Sequence, residues 1–189
     1  MIQSHARFVS SHSIAVNDEV LEADNIFINV GGHATVPPFP GIDDVAFLTN
    51  SSMMDVDFVA EHLVIVGGSY IGLEFGQVYR HFGSDVTIGE MGPRLIGREN
   101  ENVSEAAQKI LESKGIQIRL NAKWISLAML KSRIAVQTEC TEGAPDVLGT
   151  HVLLAVGRTP NTHDLGLDRA GVATDQRDTS SLTINCKPT

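Results

Sequence analysis

HLVIVGGSYIGLEFGQVYRHFGSDVTIGE, residues 62–90, changes its hydrophobic period twice. His62 to Val66 is an apolar run of strand type, and Gly67-Gly68 breaks it. Apolar residues then recur at Leu73, Phe75, Val78, Tyr79 and Phe82 with helical spacing. Gly83-Ser84 stops that helix, Val86 to Ile88 reads as a second short strand, and Glu90 stands at its end. Strand, glycine turn, helix, strand and terminal acid make up the first βαβ half of a dinucleotide-binding fold.

In such a turn the GxGxxG glycines have separate tasks: a tight turn, close backbone approach to a pyrophosphate, and close helix–strand packing. Those places hold Gly67, Ser69 and Gly72, so the middle glycine is a serine. Its hydroxyl either crowds a pyrophosphate or donates a hydrogen bond to it. The helix N-terminus offers free N–H groups and a positive dipole end to an anion in either case. Glu90 follows at the distance where an acid accepts hydrogen bonds from an adenosine ribose, and its charge opposes a 2′-phosphate. This favours NAD(H) over NADP(H), although Arg94 and Arg98 nearby keep the second open. A serine between glycines on a strand-to-helix turn also resembles a hydrolase elbow, but GxSxxG is one residue too long for GxSxG. Read in isolation, Glu74 is a surface helix carboxylate and Tyr70 a packing residue.

Outward from this unit, the chain is β-rich before residue 62. Arg7 to Val16 alternates loosely, Asn17-Asp18 makes a turn, and Ile26 to Val30 reads as an apolar strand ending in Gly31-Gly32. PPFPG, residues 37–41, is expected to form a stiff extended linker because each proline fixes its φ and restrains its predecessor. After Glu90, residues 101–113 place Val103, Ala106, Ala107, Ile110 and Leu111 on one helical face, closed by Lys114-Gly115. Ile116–Leu120, Ile125–Met129, Arg133–Glu139 and Val147–Val156 read as strands, the last running into Gly157. Beyond Asn161 the sequence is loop-rich and ends in a lone strand-like SLTIN.

With 189 residues, 42% of them hydrophobic, the chain is long enough for a real core. A formal net charge of −9 opposes nucleic acid and anionic membrane as partners. No apolar run approaches the roughly 18 residues of a membrane span, and MIQSHARF is no signal peptide, so a cytoplasmic location is expected. Cys140 and Cys186 lack metal or redox spacing and read as reduced thiols. The histidines form no HExxH-type pattern, so no metal site is expected.

GGSYIGLE, Glu90 and AVGRTPN in one chain resemble the FAD- and NAD(P)H-dependent pyridine nucleotide-disulfide oxidoreductases, and the bacterial mercuric-reductase-like branch in particular. INVGGHATVPPFPG, FGSDVTIGEMGPRLI, ILESKGIQIRLNAK and LLAVGRTPNTHDLGL extend the similarity over residues 5–175. The resemblance implies an α/β fold: a Rossmann-like NAD(H)-binding domain, residues 58–156, built of a parallel sheet with helices plus a β-meander. Residues 1–57 and 157–189 would be partial FAD-domain β segments. It further implies that Gly67, Ser69, Ile71 and Gly72 face the NAD pyrophosphate and Glu90 the ribose. Trp124 would lie beside the adenine and Gly157 at the nicotinamide end. Tyr70 would cover the flavin until nicotinamide displaces it, Glu74 would neighbour the nicotinamide, and Gly31 would approach the FAD.

In the complete enzyme a hydride would pass from NADH to FAD and electrons onward to an acceptor. The family's FAD fingerprint, its redox cysteine pair and its dimer domain match nothing in this sequence, and neither Cys140 nor Cys186 matches a redox position. The chain alone is therefore expected to bind NAD(H), with FAD binding doubtful and no catalytic residues of its own. The competing expectation is a non-catalytic dinucleotide-fold module that binds or self-associates as a homo-oligomer, through surfaces left uncovered.

Overall fold

A computed structural model describes residues 1–139 and 146–174. Cys140, Cys186 and the SLTIN segment lie outside the described residues. The chain divides into two compact units, residues 1–33 with 158–189, and residues 34–157.

In the smaller unit, β1 (Ala6–Ser10), β2 (Ser13–Val16) and β3 (Glu19–Glu22) form an antiparallel meander. Asn17 takes the left-handed conformation (φ 54°) that its turn requires. Phe8 and Val16 are buried with Leu167, and the Phe8 N–H donates to the Leu165 carbonyl at 2.7 Å. β4 (Gly32–Ala34) is a three-residue strand whose first two residues belong to this unit. Ile26 to Val30, read above as a strand, joins no sheet, and Phe27 is 92% exposed. Its apolar sequence meets no paired neighbour among the described residues, and an extended segment without a ladder is not a strand.

The larger unit holds the βαβ stretch. β5 (Leu48–Thr49) comes first, then β6 (His62–Val66), α1 (Tyr70–His81), β7 (Asp85–Gly89), α2 (Glu101–Ser113) and β8 (Gln117–Arg119). β9 (Lys123–Leu130), β10 (Arg133–Glu139) and β11 (Asp146–Gly149) make an antiparallel meander, and β12 (His151–Leu154) returns to the parallel sheet. That sheet has the order β5-β12-β6-β7-β8, every pair parallel.

Strand alternation explains the layering. Leu63, Ile65, Ile88 and Leu153 point to one face, where they pack with Leu73, Tyr79 and Leu111 of the two helices. Val64, Val66, Val152 and Leu154 point to the other, onto Leu127, Ile134, Val136 and Val147 of the meander. A sheet covered on both faces needs near-continuous apolar strands, as HLVIV and HVLL are. The PPFPG segment is packed rather than free-standing: the Leu127 N–H donates to the Pro40 carbonyl at 2.9 Å. Phe39, Ile42 and Val45 join the meander core. Residues 34–57, assigned above to a flavin segment, also supply β5 and the buried Met53 to this unit.

Two sequence expectations change here. The run 147–156 is two strands in different sheets, divided at Gly149-Thr150, where a Cβ on Gly149 would stand 2.6 Å from Val64 Cγ2. α2 buries Ser104 and Leu111 while Val103 and Ile110 stay about half exposed. The helix packs on β8, a three-residue edge strand, and so narrow a support covers only one line of its apolar face. β13 (Arg158–Pro160) is the last strand among the described residues and pairs with β4.

Candidate functional site

β6, β7 and β12 end side by side, and the segments leaving them converge on one edge of the sheet. Gly67 turns the chain out of β6 with φ 113°, a conformation open to glycine, and its N–H donates to the Gly89 carbonyl at 2.8 Å. A Cβ there would collide with the Ala155 carbonyl oxygen beyond β12. Ser69 is the N-cap of α1, with φ −100° and ψ −175°, and its side chain makes no capping bond to the first turn. Extended backbone of this kind suits any residue, so the local conformation does not demand the missing glycine. Tyr70 and Ile71 open the helix, and the partly buried Ile71 side chain packs against the core. Gly72 sits under the Gly67 carbonyl, leaving no room for a Cβ.

Close packing of helix on sheet, credited above to Gly72, falls equally to Gly76. A Cβ at Gly76 would stand 2.9 Å from Ile88 Cδ1 and 3.4 Å from Ile65 Cδ1. Its spacing of four from Gly72 put it on the same helix face, and that was the available signal.

Glu90 is the most constrained polar group of this edge. Its Oε2 accepts the Gly68 N–H at 2.7 Å and its Oε1 accepts the Gly92 N–H at 2.8 Å. The Gly68 carbonyl in turn accepts the Ile96 N–H at 2.8 Å. The peptide groups flanking Gly68 are thus fixed from both ends, by the root and by the body of the loop that follows β7. Buried Leu95 and Ile96 anchor that loop in the core beneath α1, and Ile96 has a φ of 41°, rare for a β-branched residue. A Cβ on Gly68 would meet Leu95 Cδ2 at 2.6 Å and Glu90 Cβ at 2.8 Å, so this second glycine is required by protein packing. At the far end of the loop the Tyr70 hydroxyl donates to Glu99 Oε1. That bond is the main reason the phenol titrates above its ordinary range. Neither Ile96 nor Glu99 was singled out from sequence, because the loop between Met91 and Asn100 carries no periodicity.

The Ala122 N–H donates to the Glu90 carbonyl at 2.9 Å, which brings the start of β9 and the Trp124 backbone toward the same loop. Trp124 itself opposes Thr138 across a register shift. Gly157 lies two residues beyond Ala155 with φ 131°, and a Cβ there would enter open space. Glu74 is exposed on α1. Gly31 belongs to the smaller unit, where its carbonyl accepts the Asn161 N–H at 3.1 Å. At the opposite end of the sheet, burial holds the His62 and His151 imidazoles below their usual pKa, and for His62 the Arg133 charge adds to this while Asp85 and Glu61 oppose it. His62 Nε2 lies 2.9 Å from Thr87 Oγ1 and His151 stacks on Phe58, so both are structural.

The family model described as "Pyridine nucleotide-disulphide oxidoreductase" matches residues 1–186. The chain belongs to that family. It is 33% identical over 182 residues to the probable pyridine nucleotide-disulfide oxidoreductase RclA of Escherichia coli K12, covering 94% of this chain and 40% of that protein. It is 30% identical to the mercuric reductase of Bacillus cereus (94% and 28% covered). Identity is also 30% to the dihydrolipoyl dehydrogenase of Thermus scotoductus (94% and 39%). Among solved structures it resembles the HOCl-induced flavoprotein disulfide reductase RclA of Escherichia coli. The TM-score is 0.80 at 31% identity, over 93% of this chain and 40% of that one. The chain thus spans less than half the length of these relatives. Among the described residues no helix is long and apolar enough to cross a membrane.

Proposed function

We propose that residues 34–157 form the NAD(H)-binding part of a flavin-dependent disulfide oxidoreductase. The observation that carries this reading is the juxtaposition at the sheet edge of an uncapped α1 N-terminus and a carboxylate pinned by two glycine amides. The open first turn fits a pyrophosphate, which the N–H groups after Gly67 and Ser69 would receive. Glu90 uses one lone pair on each oxygen for a backbone amide and keeps others for ribose hydroxyls. Because both oxygens are tied, the carboxylate cannot swing away from a 2′-phosphate, which favours NADH over NADPH. Trp124 backbone and Met91 would flank the adenine, while Gly157, with open space beside it, would admit the nicotinamide end near Glu74 and Tyr70.

NADH, when bound, supplies a hydride; in the complete enzyme its acceptor would be FAD. The described residues do not by themselves fit a flavin. Among those residues Gly31 is the one candidate contact, and the described part of the smaller unit contains no α-helix whose N-terminus could receive the flavin pyrophosphate. The purified 189 residues are expected to bind NADH weakly, NADPH more weakly, and to show no NADH-dependent disulfide reduction. Calorimetric titration tests this: no heat at millimolar NADH overturns the proposal.

A second reading, a self-associating module, is favoured by exposed Phe27, Phe82, Ile110 and Val103. Light scattering of the purified chain separates monomer from oligomer.

A further inference from the structure

Ile96 combines a buried β-branched side chain with a φ of 41°, a backbone conformation that such side chains disfavour. With the side chain anchored in the core, φ decides where its N–H points, and it points at the Gly68 carbonyl, 2.8 Å away. The Gly68–Ser69 peptide is planar and trans, so its carbonyl and its N–H face opposite ways. Because the carbonyl is held toward the loop after β7, the Ser69 N–H is turned away from that loop. Ser69 is exposed, and its N–H has no acceptor among the described residues. The amides of Tyr70, Ile71 and Gly72 follow it, likewise without intrahelical acceptors.

This peptide needs such a hold. Leu95 and Glu90 exclude a side chain at residue 68, so the position keeps the backbone freedom of glycine. A flipped plane would present the Gly68 carbonyl oxygen, in place of the Ser69 N–H, to an anion in front of α1. The bond from the Gly68 N–H to Glu90 Oε2 restrains only the preceding peptide. The Ile96 N–H restrains the plane that carries the Ser69 donor.

We propose that Ile96 is a positioning residue for the dinucleotide site: its backbone N–H presets the Ser69 N–H as a donor to the pyrophosphate. The inference rests on the NAD(H)-binding reading above, and it places a determinant of affinity outside the glycine turn. A donor set before the ligand arrives binds without first losing the freedom to rotate. The left-handed Ile96 backbone is the strain that accompanies this preset geometry.

The test uses the 189-residue chain with NADH as the titrant. Converting the Ile96 main-chain amide to an ester, by incorporating the α-hydroxy analogue of isoleucine, removes the N–H and keeps the side chain. NADH affinity should fall about three- to tenfold, the population equivalent of one lost hydrogen bond. Ile96→Ala keeps the N–H and loses only packing, so its folded form should bind NADH as the unmodified chain does. An ester chain that binds as tightly as the unmodified one overturns the inference, and so does an Ile96→Ala chain that loses as much affinity as the ester. Far-UV circular dichroism confirms that each chain is folded. If the ester chain does not fold, amide hydrogen exchange of the unmodified chain decides. The Ile96 N–H should be protected with or without NADH, whereas the Ser69 N–H should exchange freely until NADH is added. Free exchange at Ile96, or no slowing at Ser69 by NADH, overturns the inference. An unmodified chain that binds no NADH at all defeats the dinucleotide reading itself, and the role of Ile96 falls with it.

Discussion

Replacing Glu90 by glutamine separates two roles that a carboxylate at this edge can play. A residue present only to hold a ribose leaves stability untouched, or raises it, when it is substituted. Glu90 instead accepts two amides, from Gly68 at 2.7 Å and from Gly92 at 2.8 Å. Glutamine has one acceptor oxygen, so it keeps one of these bonds and turns an N–H donor toward the other amide. The bond that survives loses its charge assistance, worth about 1 kcal/mol. The amide left facing a donor costs about 1–3 kcal/mol when buried, and Gly68 is buried. Glu90 and Gly92 are only partly buried, so water offsets some of this. The expected net loss is about 2 kcal/mol, or roughly 4–8 °C in melting temperature. Urea unfolding of wild type and variant, analysed with a common slope, measures it directly. Stability within 0.5 kcal/mol of wild type, about the size of an ordinary surface change, would refute the argument that Glu90 clips the turn to the loop. Glu90→Asp checks the geometry, because a side chain one methylene shorter cannot span both amides, and it should lose stability despite retaining its charge.

Gly67→Ala places a Cβ against the Ala155 carbonyl at φ 113°, and should cost about 3 kcal/mol or more and abolish NADH binding; a folded variant that binds NADH normally contradicts the turn geometry. Ser104 Oγ is buried without a hydrogen-bond partner among the described residues, so Ser104→Ala should stabilise the chain by about 0.5–1.5 kcal/mol in urea melts. His62 and His151 have lowered pKa values, so below pH 6.5 the unfolded chain takes up protons first, and the neutral rings' contribution, fully present above that pH, is lost as pH falls toward the folded values. His62→Gln should therefore flatten the loss of stability between pH 7.5 and 5.5 relative to wild type; an equally steep loss in the variant is the contrary result.

Local pattern carried the βαβ unit because each of its steps is a change of period or a glycine. His62–Val66, Tyr70–His81 and Asp85–Gly89 need no distant information, and their boundaries follow from Gly67 and Gly83. The failures share a cause, which is dependence on a neighbour far along the chain. Val147–Val156 is a continuous apolar run, yet Gly149 divides it because Val64 of β6 occupies the space a side chain there would need. Ile26–Val30 has the composition of a strand yet pairs with no strand among the described residues. α2 shows an apolar face wider than the edge strand beneath it, so Val103 and Ile110 remain in solvent.

The site shows the same division between local and distant information. Glycines, the helix start and the terminal acid follow a fixed local order, so their positions are legible in residues 62–90. What the order does not disclose is that Glu90 reaches back to Gly68, or that Ile96 completes the fixation of the flanking peptides from a loop without periodicity. A position that looks like a ligand contact is therefore also part of the scaffold, and this bears on the serine at the middle glycine. Ser69 has ordinary extended backbone and no side-chain cap, so only an approaching ligand could require glycine there. Gly68, by contrast, is required by Leu95 and Glu90 whether or not a ligand is present. Substitution tolerance should divide accordingly: Ser69→Gly should alter NADH affinity and leave stability nearly unchanged, while Gly68→Ala should unfold the turn first and lose binding as a consequence.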